Sequence, residues 1–176
     1  MKRTLILLSA LCVLSALCIS SLPAQASTAL YLNLDALIEQ ADRVVVVDVE
    51  SCSSAWGPRR RLIHTTCTLK VDQDVAGSGP AEIKLLQPGG KVGRWAQKSH
   101  GYHGFVEGQR LLLFLRLQGG VARVVGMSQG VFLPKAKLWK QAIQGLSFPK
   151  GGGDALELNE RKDFERIRFV WKPKEK

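Results

Sequence analysis

Carboxylates are scarce in this chain. Its 176 residues hold 15 Asp and Glu against 25 Lys and Arg, with only three His and four Cys. Most of the acids fall in "NLDALIEQAD" or in the tail after Asp154, which leaves no pair placed for general acid–base hydrolysis. The serines of "ESCSSAW" and "GMSQG" lack the G-x-S-x-G elbow of hydrolases, and no His or Asp is assigned to Ser128 by spacing. "PGGKVG" lacks the spacing of a phosphate-binding loop and precedes no helix. After residue 26 there is no apolar run long enough to cross a bilayer, and there is no internal repeat. These absences disfavour nucleotide-dependent, serine-hydrolase and membrane-spanning classes.

What is present begins with a leader. Residues 1–26, "MKRTLILLSALCVLSALCISSLPAQA", run from Lys2 and Arg3 through an apolar stretch to Ala24-Gln25-Ala26. That is the organisation of a cleaved secretory signal peptide. Leu11 and Leu17 precede Cys12 and Cys18, where a lipoprotein carries a small residue. Cleavage leaves Ser27–Lys176, 150 of the 176 residues, and lowers the formal net charge from +10 to +8 with the loss of Lys2 and Arg3. The sequence therefore predicts a periplasmic or extracellular protein without a stable membrane anchor. Its basic surface either attracts acidic partners or serves solubility alone. Cys52 and Cys67 remain, and an oxidising compartment favours a disulfide between them. Val45, Val47 and Val49 share a strand face that excludes Cys52, whereas Cys67 shares one with Ile63, Thr65 and Leu69; a bulge near Ser51 reconciles the two parities.

The division expected is 1–26 leader, 27–145 β domain, and 146–176 a glycine-rich joint followed by a basic segment. Asn33 caps a short helix with Leu34, Leu37, Ile38 and Ala41 at helical spacing. Arg43 to Ser51 and Arg61 to Val71 read as a hairpin with Arg59, Arg60 and Arg61 near its tip, and Ala81 to Gln87 as a third strand. Gly119-Gly120 links two further strands in the manner of a type I′ turn, pairing Leu117 with Ala122, Leu115 with Val124 and Arg116 with Arg123. That Arg pair requires an acidic neighbour to offset repulsion. "VFLPKAKLW" reads as a sixth strand; the tail reads as a helix to about Ile167 or as a final strand "IRFVW", the helix preferred. The fold class is mainly β: a small five- to six-stranded barrel of the oligomer-binding (OB) type, with one N-terminal helix and the C-terminal helix of the preferred reading.

"ADRVVVVDVES", "LKVDQDVAGSGP", "LLQPGG", "GQRLLLFLR" and "RVVGMSQGVF" together resemble a family of small secreted bacterial proteins of unassigned function, over about residues 30 to 134. The helix ending in Ala-Asp before a valine-rich strand is similar, more distantly, to the netrin-like domains of tissue inhibitors of metalloproteinases. That resemblance implies an OB-type barrel. The inhibitors chelate zinc through a first-residue cysteine, whereas Ser27-Thr28 would begin this chain, so their inhibitory residues do not carry over. Asp48 stands where the bacterial family implies glycine, and Ala76-Gly77 where it implies Lys-Gly.

The stretch Gln87 to Phe105 is the candidate site. His100 and His103 are spaced H-x-x-H and His64 lies on a nearby strand, but zinc needs three or four ligands and no carboxylate precedes Glu107 in the loop. Lys91, Arg94, Trp95, Lys98, Tyr102 and Phe105 interleave cations with aromatics, the composition with which OB-type barrels hold extended chains. Burial of Trp95 and Phe105 as a plug at one end of the barrel is the structural counterpart of that reading. The function expected is a non-enzymatic binding module without a cofactor. It contacts an extracytoplasmic protein or acidic glycan, not nucleic acid, through this loop and Arg59, Arg60 and Arg61. A specific form is a partner or inhibitor of an extracellular peptidase. The alternative is a small metal-dependent hydrolase using His64, His100 and His103.

Overall fold

A computed structural model describes residues 27–143, 146–148 and 153–174; the segment read as a leader lies outside them. The elements are β1 (Ser27–Thr28), α1 (Leu34–Gln40), β2 (Arg43–Trp56), β3 (Ile63–Ala76), β4 (Glu82–Pro88), β5 (Gly90–Val92) and β6 (Trp95–Gln97). They continue with β7 (Arg110–Gln118), β8 (Val121–Val124), β9 (Val131–Lys135), β10 (Leu138–Gln141), β11 (Leu146–Ser147), β12 (Glu157–Asn159) and α2 (Glu160–Val170). The protein is mainly β, with one eight-stranded sheet in the order β12-β10-β9-β7-β2-β3-β4-β8 and two helices. β8 pairs antiparallel with β7 and also meets β4 through one parallel bridge, Leu85 to Ala122.

The valine run makes β2 the centre of the molecule. Val44 and Val46 face Leu37, Ile38, Phe164 and Ile167 of the two helices, while Val45, Val47 and Val49 face Leu69, Leu85, Leu111 and Leu113. Burial on both faces explains why the run is continuous rather than alternating. The helices are capped as their sequences require: Asn33 accepts from the N–H of Ala36, and Asn159 from those of Arg161 and Lys162. Phe164 and Ile167 bury one stripe of α2, whereas Phe169 is 90% exposed, which settles the tail as a helix.

Three register shifts interrupt the β2–β3 ladder. The last leaves Glu50 without an opposite residue, so that Val49 faces Leu69, Ser51 faces Thr68, and Cys52 comes to face Cys67. The expected bulge is thus present and the disulfide forms across it, with the two Cα atoms 4.1 Å apart. Cys67 is fully buried among Val49, Leu69 and Leu85, while Cys52 is exposed. Arg43 is 1% exposed, and its guanidinium donates two bonds to the Asp74 carboxylate and a third to the Pro80 carbonyl.

Three expectations need correction. "VFLPKAKLW" is two strands: Ala136 at φ +54° begins a two-residue turn that folds β10 back on β9, a turn that no Gly or Asn announces. The pairing of Arg116 with Arg123 is as expected, but no carboxylate lies within ion-pair distance of either among the described residues. Both are exposed, where water screens the repulsion. The Gln87 to Phe105 stretch is not wholly loop, because β5 and β6 form a small hairpin within it.

Candidate functional site

The β5–β6 hairpin is fastened to the β2–β3 hairpin by close packing and hydrogen bonds. Gly90, at φ +133°, lies against Ser54 and Thr65 so closely that a Cβ there would stand 2.3 Å from the Ser54 hydroxyl and 2.4 Å from that of Thr65. Ser54 and Thr65 bond each other at 2.9 Å, and Thr65 donates to the Gly89 carbonyl at 2.7 Å. Gln97 accepts from the Ile63 N–H at 2.8 Å. Trp95 meets Trp56 edge to face at 6.4 Å, and the Arg94 guanidinium lies 5.3 Å from the Trp95 ring centre.

Beyond β6 the chain runs on as a strap without regular secondary structure, residues 98–104. The Ser128 N–H donates to the Gly101 carbonyl at 2.9 Å and holds its middle. His103 is bonded to Gln109 through Nε2 and stacks edge-on to Phe105 at 5.5 Å. Burial holds the His103 pKa below the ordinary histidine value, and the Gln109 bond partly offsets this. On one side of the strap lies a groove of about 380 Å³, lined by Cys52, Ser54, Thr65, Gly89, Gly90, Gln97, Lys98, Tyr102, His103 and Phe105. On the other side is a hollow of about 320 Å³ that reaches Leu133 and Ala142. A larger hollow of about 630 Å³ beside α2 is shallow and mixes Glu160 and Glu165 with Lys137, Arg161 and Arg168, so it presents no wall of a single sign to a ligand.

The nine sequence-predicted contact residues divide into two groups. Lys98, Tyr102 and Phe105 wall the groove, Phe105 by packing its ring against the inner cluster. Arg59, Arg60, Arg61, Lys91, Arg94 and Trp95 stand outside it, on the β2–β3 tip and the neighbouring β5–β6 hairpin. No Asp or Glu occurs between Glu50 and Asp72 or between Glu82 and Glu107, so neither the β2–β3 tip nor the β5–β6 hairpin carries an acid of its own. Ser54, Thr65 and Cys52 also line the groove, and the sequence reading missed the first two. Their signal was Gly90, whose neighbours only the fold reveals.

The three histidines do not converge. His64 packs its ring over Gly57, His103 is bonded to Gln109, and His100 is exposed. Among the described residues no group of three or more His, Cys, Asp or Glu is placed to hold a metal ion. Ser54 and Thr65 give their hydroxyls to each other and to a carbonyl, not to a base. The Ser128 hydroxyl is buried and has no hydrogen-bond partner among the described residues. No protein-family model matches the chain, and no curated protein or solved structure is significantly similar to it.

Proposed function

We propose that the protein is a non-enzymatic binding module of the periplasm or extracellular space that takes an extended segment of a partner protein, or an acidic glycan, in the groove beside the 98–104 strap. The observation that carries this reading is the groove itself. It is bounded by the hairpin that the Gly90 contact and the Gln97 bond fasten in place, and it is lined by Tyr102, Phe105 and Lys98 and by hydroxyls that are already bonded. Such a wall offers stacking, a cation and hydrogen-bond acceptors, and no arranged nucleophile. The Cys52–Cys67 disulfide supports an oxidising compartment.

The fold is read as a small OB-like, netrin-like barrel. Pairing of β8 with both β4 and β7, around Val45, Val47, Leu69, Leu85 and Leu111, supports that reading. In its specific form the partner is an extracellular peptidase.

The test is capture from the host's extracytoplasmic fraction with tagged Ser27–Lys176 and with its Lys98→Glu/Tyr102→Ala variant, at low and high salt. A discrete partner held at high salt by the parent and lost by the variant is expected. Equal capture by both would overturn the groove as the site. The peptidase form further requires that stoichiometric protein slow a co-secreted metallopeptidase, and full activity across those peptidases would remove it.

A further inference from the structure

The tip outside the groove has a composition of its own. Pro58–Arg60 form a single 3-10 turn in which the Arg60 N–H donates to the Gly57 carbonyl at 3.1 Å, and the Gly57 N–H donates to the Leu62 carbonyl at 2.7 Å across the loop. Arg59 and Arg60 sit at φ +64° and +50°, a left-handed conformation unfavourable for arginine, and Arg61 follows. All three are exposed, and among the described residues none lies within ion-pair distance of a carboxylate. Leu62 is 50% exposed beside them, and Trp95, braced by Trp56 and Arg94, is 56% exposed. Burying Leu62 or Trp95 fully would remove apolar surface from water, and the described residues leave about half of each uncovered.

We propose that this tip docks reversibly on an anionic phospholipid bilayer, with Leu62 and Trp95 entering the headgroup region and Arg59, Arg60, Arg61 and Arg94 contacting lipid phosphates. The charge complementarity is one-sided, because neither segment that builds the tip carries an acid. A soluble acidic chain would also meet the arginines, but it gives Leu62 no apolar environment. A bilayer interface supplies both, since indole rings settle at the headgroup level and arginines gain from a negative surface. The proposal goes beyond the groove reading: none of Arg59, Arg60, Arg61, Leu62, Arg94 and Trp95 lines the groove.

The experiment is sedimentation of Ser27–Lys176 with vesicles of phosphatidylcholine alone and of phosphatidylcholine mixed with phosphatidylglycerol, while tryptophan emission is followed. Binding to the mixed vesicles only is expected, with emission moving to the blue as Trp95 leaves water. Arg59→Ala/Arg60→Ala/Arg61→Ala should raise the lipid needed for half-binding at least about tenfold, and Leu62→Ser should reduce the fraction that survives added salt. Both changes lie on an exposed turn, so unchanged melting temperatures will show that the fold persists. No binding to the mixed vesicles, retention of full binding by the triple variant, or capture by a soluble sulfated polysaccharide without vesicle binding would each overturn the proposal. Partner capture in the groove should be the same for parent and tip variants, so failure here leaves that reading standing.

Discussion

The disulfide offers the prediction that can be worked furthest. Cys52 and Cys67 are separated by 15 residues, and cross-linking a loop of that size removes denatured-state entropy worth about 3 kcal/mol at 25 °C. For a domain of this size about 1 kcal/mol moves the melting temperature by roughly 2–4 °C, so Cys52→Ala/Cys67→Ala should melt about 6–12 °C lower. Removing the fully buried Cys67 sulfur adds a small loss of packing in the same direction. The structure also orders the chemistry of reduction. Only Cys52 is exposed to an attacking thiolate, and attack there expels a Cys67 thiolate among Val49, Leu69 and Leu85, where charge is poorly solvated. Dithiothreitol should therefore reduce the folded protein far more slowly than the protein in urea. Thermal melts followed by circular dichroism and timed thiol trapping read both effects. A variant that melts with the parent, or equal reduction rates in the two states, would refute the reasoning.

Other expectations follow from single contacts. Gly90→Ala puts a Cβ into the Ser54 and Thr65 hydroxyls at a φ that L side chains rarely adopt, so it should cost more than 1 kcal/mol in urea unfolding. Gln97→Ala leaves the Ile63 N–H without its acceptor, which should destabilise by about 1–3 kcal/mol and speed amide exchange at Ile63. Arg43→Ala strands Asp74 and the Pro80 carbonyl and empties a buried volume, for an expected loss of about 2–4 kcal/mol by chemical denaturation. His103 titrates lower in the fold than in the unfolded chain, so the unfolded chain takes up its proton first as pH falls. Its contribution to stability is present above the unfolded-state histidine pKa and is lost as pH falls from there through the folded value. Unfolding curves of His103→Gln should lack that part of the acid dependence.

The hairpins were legible because their signals are local. Gly119-Gly120 fixes the register of β7 on β8, and the clash of parities between Val49 and Cys67 located the bulge beside Ser51 before any coordinates. The two strands inside "VFLPKAKLW" were not, since Ala136 adopts positive φ without being a residue that favours it. The double burial of Val44–Val47 depends on α2, which lies more than a hundred residues away in sequence. At the site, the charged and aromatic residues stood out by composition. Their division into a groove wall and an exposed tip comes from Gly90, Trp56 and Gln97, whose contacts are all between segments distant in sequence.

The central claim is that the groove beside the strap engages a partner. A photo-crosslinking amino acid in place of Tyr102 tests it inside the native compartment, with the same substitution at the highly exposed Phe169 on α2 as control. The account predicts a discrete heavier adduct from position 102 on irradiation and none from position 169. Adducts from 169 alone, or indistinguishable patterns from both positions, would contradict it.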